Sequence, residues 1–328
     1  MDAHFLYRTW LWLPLLLSAM GANYETANFS VSTPCAISAR LYAETAEQCR
    51  KDLAMLWLGQ TLPDWSAKCP IKIHIGNDFG AGGQTSFVFE NGEVFGWDME
   101  IQGSHERILD SVLPHEITHM ILASHFRKPI PRWLDEGAAT SVEHQSEKEK
   151  YRRMLRHFLE PNVQKCFPFN RMVAMKDYPV DPMPFYAQGF SLVEYLLECG
   201  RQFDEYEHCR LIRFAQASMQ DGDWNLALQK HYSVQTLGEL QVSWVKWVNA
   251  DERALRAVAD TPVLQATTVS PIVVSAKPLP SPSGKSIYDR HIDRQSESDG
   301  RVEMIPANWN DEKPILIPVS YGREVVLR

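Results

Sequence analysis

The sequence predicts an α+β protein in which a small antiparallel sheet is followed by a mainly helical body. Three observations carry this. Apolar and polar residues alternate over Ile71-Lys72-Ile73-His74-Ile75, the period of a half-buried strand. Two β-prone runs flank Asn91-Gly92, the strongest short hairpin signal. Downstream of Ser104 the apolar spacing is helical almost throughout. The chain has 328 residues, 45% of them hydrophobic, enough for one large domain or two. Its 33 Lys and Arg against 41 Asp and Glu give a net charge of -8, which leaves no electrostatic footprint for nucleic acid as a main partner.

In chain order, Arg8, the apolar run Trp10 to Leu17 and the small residues Ser18, Ala19, Gly21 and Ala22 form the layout of a signal peptide over residues 1–21, with cleavage expected after Gly21. The run is about half the roughly 20 residues of a spanning helix and contains Pro14, so export is expected and a stable membrane span is not. Residues 22–103 hold an amphipathic helix, about Ala36 to Leu58, stopped by Gly59 and Pro63, then the Ile71 strand and the hairpin Phe87 to Phe95. His74 falls on the strand's solvent side. Residues 104–260, the helical part of the same domain, contain helices near 105–126, 131–143, 148–159, 184–198, 205–219, 224–231 and 238–257, with Pro114 kinking the first or marking its first turn. Over residues 261–328, eight of the 20 prolines and a polar block from Asp289 to Arg301 leave little apolar surface, which predicts a mostly disordered tail. Its apolar patches Ile315 to Val319 and Val325 to Leu327 could dock on the body. Six cysteines (35, 49, 69, 166, 199 and 209) without a CxxC argue against a cysteine zinc site and leave disulfides and buried thiols both open.

His115-Glu116-Ile117-Thr118-His119 lies in the first helix after Ser104. Residues four apart differ by about 40° around a helix, so both imidazoles leave one face and can grip a single zinc ion. Glu116 beside them is placed to take a proton from a zinc-bound water and return it to a leaving amine. Catalytic zinc needs a third protein ligand. Glu136, in Trp133-Leu134-Asp135-Glu136-Gly137, comes from the next helix folded back on the first, with Gly137 leaving room where metal and substrate approach. His125 is the rival, at the spacing of HExxHxxGxxH, but Leu122 stands where that pattern needs glycine. The helix then continues and turns His125 about 240° from His119. Two histidines at this spacing also occur on ordinary helix surfaces, yet the apolar neighbours Ile117, Met120, Ile121 and Leu134 imply burial, which unpartnered ionisable groups do not tolerate.

The two segments His115 to His119 and Trp133 to Ala139 resemble the gluzincins, peptidase MA-like zinc metallopeptidases, whose second motif reads approximately W-L-x-E-G-x-A. The resemblance implies His115, His119 and Glu136 as zinc ligands and Glu116 as general base. Phe185 to Ser191 is similar to the helix that follows in many bacterial members. Some gluzincins carry an Asp four residues beyond the glutamate ligand, where this chain has Thr140. Support for the histidines must then come from Asp135, Glu143 or His144. The oxyanion donor is expected to be Tyr186, which fits equally as a core tyrosine on the stripe Tyr186, Phe190, Val193 and Leu197, with His105 as second choice. These readings describe an exported zinc metallopeptidase with a peptide or protein substrate added as a strand along an edge at Val94 to Gln102. The alternatives are a catalytically silent gluzincin-like scaffold, against which Glu116 argues, and a zinc hydrolase of a non-peptide amide or ester.

Overall fold

The computed structural model describes residues 22–34, 36–203, 206–259 and 320–321. The expected leader and nearly all of the expected tail lie outside them. The chain runs β1 (Ala22–Glu25), β2 (Phe29–Thr33), α1 (Ala36–Leu58), β3 (Cys69–Ile75), β4 (Gly82–Glu90), β5 (Glu93–Gly103) and α2 (His105–Arg107). A π-helical turn (Ile108–Val112) then leads into α3 (Leu113–Phe126), α4 (Arg132–Ser141), α5 (Gln145–Leu159), α6 (Phe169–Met172) and α7 (Met183–Gly200). The last elements are α8 (Glu207–Asp221), α9 (Trp224–Tyr232), α10 (Leu237–Ala259) and the two-residue β6 (Ser320–Tyr321).

The architecture is the α+β arrangement expected, but the sheet is mixed rather than antiparallel. Its strand order is β1-β2-β3-β5-β4-β6. β2 and β3 run parallel because α1 carries the chain across the sheet between them, and β5 returns beside β3, also parallel. β1 and β2 went unread because they are four- and five-residue pieces rich in Asn, Ser and Thr. The hairpin forms as expected: Glu90 pairs with Glu93, and Asn91 and Gly92 both take positive φ, 52° and 76°. His74 is exposed and pairs with Glu100 at 2.8 Å. The expected edge from Val94 to Gln102 is not an edge. It lies in β5, between β3 and β4, because the hairpin folds outward and leaves β4 farther from the sheet centre.

Phe29, Val31, Ile71, Ile73, Met99 and Ile101 face Tyr42, Ala46, Leu53 and Trp57 of α1 and Ile117, Met120 and Ile121 of α3, all buried in one continuous core. Thus α3 is packed between the sheet and α1, with α4 against it. α7 lies beyond, packed on α4, α5 and α8. Pro114 falls in the first turn of α3, as expected, where its missing N–H costs nothing. The preceding π turn closes with the Leu113 N–H donating to the Ile108 carbonyl. Cys69, Cys166 and Cys199 are thiols rather than half-cystines. Among the described residues no helix is long and apolar enough to cross a membrane.

Candidate metal centre

Two helices and one strand build the site. On α3, the one-turn spacing aims the His115 and His119 rings in the same direction, with centroids 4.9 Å apart. From α4, Glu136 enters between them: its Oε2 lies 3.7 Å from His115 Nε2 and 3.9 Å from His119 Nε2. The three donor atoms fall within 4.8 Å of one another, and all three residues are buried. They form a cluster that could hold a metal ion. His125 takes no part. It lies six residues beyond His119, about 9 Å along the axis, against the Phe126 ring. Burial pushes its imidazole below the usual histidine range.

The outer nitrogens are fixed. His115 Nδ1 donates to Glu143 Oε1 at 2.7 Å, and His119 Nδ1 donates to Asp135 Oδ1 at 2.7 Å. With Nδ1 protonated, each Nε2 presents its lone pair towards Glu136, the tautomer a metal requires. His119 Nε2 is fully buried and has no hydrogen-bond partner, a costly arrangement that a cation at this point relieves. A carboxylate and two imidazoles match the borderline donor set of zinc.

The chain matches no family model, no curated protein and no solved structure.

Electrostatics agree with a cation site. Burial acts to lower the pKa of both imidazoles, but Glu136 and Glu143 outweigh it at His115, and Asp135 outweighs it at His119, so both rise. The surrounding carboxylates thus favour positive charge where the Nε2 atoms converge. Glu116 is buried, and burial pushes its carboxyl above the usual range. It is anchored from β4, where Thr85 Oγ1 donates to Glu116 Oε2 at 2.7 Å. Gly83, on the same strand, allows this approach: a Cβ there would sit 2.5 Å from Glu116 Oε1.

A cavity of about 40 Å³, room for an ion and a water, opens beside these groups. Gly82, Gly83, His115, Glu116, Glu136 and Tyr186 border it. Tyr186 therefore reaches the site as expected while also packing in the core. His105 does not: its Nδ1 is hydrogen bonded to Tyr42 Oη at 2.8 Å, at the far end of the π turn. Of the three candidates for orienting the histidines, Asp135 and Glu143 do so, and His144 instead caps α5 through the Ser146 N–H. Thr140 is buried without touching either histidine ring. Gly137 serves a purpose different from the one expected. A Cβ there would meet the Gly189 carbonyl oxygen at 2.5 Å, so it permits α4 and α7 to cross closely rather than making room for substrate.

Tyr178 was not legible as a site residue. Its hydroxyl donates to Glu136 Oε1, and its ring stacks on Tyr186 with centroids 5.6 Å apart. The sequence signal was indirect: a long stretch without strong periodicity between α5 and α7, the kind of connection that is often functional.

Proposed function

We propose that this chain is an exported zinc-dependent peptidase of the gluzincin type, with His115, His119 and Glu136 as zinc ligands and Glu116 as general base. The observation that carries the reading is the convergence of both Nε2 atoms and Glu136 Oε2, one of those nitrogens being buried and unpartnered, beside a buried carboxylate free of the ligand set. Export is supported by the N-terminal layout of the sequence.

Zinc, when bound, supplies a Lewis acid and a water acidic enough to lose its proton near neutral pH. Glu116 accepts that proton and passes it to the departing amine, a role for which burial has already raised its proton affinity. Asp135 and Glu143 hold the imidazole tautomers through the cycle. Tyr186, on the cavity wall, donates to the developing oxyanion. An extended peptide or protein segment lies along Ala81 to Thr85, the part of the sheet nearest Glu116.

The test compares the mature chain with Glu116→Gln, measuring bound zinc and cleavage of casein or a peptide library. Equal zinc in both, with cleavage about 10²–10⁴-fold slower in the variant, is the expected result. Zinc in both with no cleavage by the parent replaces the peptidase with a silent scaffold. Absence of zinc from the parent overturns the metal reading itself.

A further inference from the structure

Glu136 has two oxygens and the site uses them differently. Oε2 faces both imidazole Nε2 atoms, at 3.7 and 3.9 Å, while Oε1 accepts the Tyr178 hydroxyl. Tyr178 comes from the connection between α6 and α7, 42 residues from its partner. That connection projects from the body, with Val180 wholly exposed, yet Tyr178 two residues earlier turns inward. Four contacts hold the inserted ring. The Arg132 guanidinium lies over it, 4.9 Å from the centroid, and Arg132 Nη1 donates to its hydroxyl at 3.5 Å. Tyr186 stacks on one side, and Phe185 meets it edge-on at 6.3 Å. The Tyr178 and Tyr186 hydroxyls are also hydrogen bonded, so phenol, phenol and carboxylate form one chain ending at Oε1.

We propose that Tyr178 is a positioning residue that makes Glu136 a one-oxygen zinc ligand and ties it to Tyr186 on the cavity wall. The inference rests on the zinc reading given above. A carboxylate on a three-bond stem can rotate to offer both oxygens to a cation, which would occupy the position a substrate carbonyl or water needs. A phenol donating to Oε1 opposes that rotation, because turning the carboxylate would break a charge-assisted hydrogen bond in a buried place. The same bond extends to Tyr186, so the group proposed to meet the oxyanion is aligned by the residue that aligns the ligand. Tyr178 touches neither ligand nitrogen, and its action passes entirely through Glu136 and Tyr186.

The experiment titrates zinc against a chromophoric chelator for the parent and for Tyr178→Phe, which keeps the ring and its packing and removes one hydroxyl. Cobalt is then substituted at the site and the visible absorption recorded. The variant should bind zinc about 10–100-fold more weakly. Its cobalt bands should weaken, as they do when a second carboxylate oxygen joins the coordination sphere. Equal affinity and an identical cobalt spectrum overturn the proposal and leave the zinc reading intact, whereas a parent that binds no zinc removes the zinc reading first. If Tyr178→Phe does not fold, Arg132→Gln decides by the same titration, since it withdraws the group lying over the ring and spares the hydroxyl. Affinity about threefold weaker than the parent supports the assignment, and unchanged affinity overturns it.

Discussion

Asp135 and Glu143 each accept one hydrogen bond from an imidazole, and the value of those bonds is readable in metal affinity. Asp135→Asn and Glu143→Gln keep the shape of each side chain and remove its charge, so each should weaken zinc binding about 10–100-fold in a competition titration. A second residue, far from the site, sets a pH response. His208 on α8 packs edge-on against Trp57 of α1, with ring centroids 4.9 Å apart, and its Nδ1 is buried without a partner. Burial lowers its pKa from 6.5 to about 4. Above pH 6.5 the ring is neutral whether the chain is folded or not, and stability is complete. Between 6.5 and about 4 the unfolded chain takes up the proton first, so stability falls, by about 3 kcal/mol at most from this group. Thermal melts of His208→Phe across this range should lose that part of the acid sensitivity, and melts that track the parent at every pH would contradict the assignment.

Two glycines separate packing from chemistry at the scale of elements. Gly137 and Gly189 form the crossing of α4 and α7, and a Cβ on Gly137 would also meet Val193 Cγ2 at 2.7 Å. Gly137→Ala should therefore force the helices apart and cost about 1–3 kcal/mol in urea unfolding, with zinc affinity falling as Glu136 moves. Gly83→Ala meets the tip of Glu116 instead of backbone, so unfolding should change little while peptide cleavage drops sharply. If both variants lose stability alike, the contrast drawn between these contacts is wrong. What sequence could reveal follows the same division. His115, Glu116 and His119 were legible because one helical turn fixes their geometry, and the Asn91-Gly92 turn was legible because two residues set the register. The interior place of β5, the helix crossing at Gly137 and the inward turn of Tyr178 depend on partners distant in the chain. Periodicity carries no information about those.

At the scale of the whole molecule, the site joins the sheet, α3, α4 and the α6–α7 connection, so filling it should stiffen all of them together. A ligand that binds only the folded chain adds about 4 kcal/mol at a thousand times its dissociation constant. Zinc should accordingly raise the melting temperature of the full chain by several degrees, and chelation with EDTA should reverse it. A melting temperature indifferent to both would place the three donors outside any ion-binding role. The α+β class was legible because the strand signals precede Ser104 and helical spacing follows it. The mixed strand order was not, since α1 gives no sign in its own residues of which strands it connects. The π turn at Ile108–Val112 has a consequence of this global kind. It winds one residue more into the rod than ordinary α geometry would hold, and so sets the angular phase of everything after it. Deleting a single codon there would restore regular winding and swing both imidazoles about 100° around the axis, giving a chain whose helicity is intact but whose histidines face the wrong way.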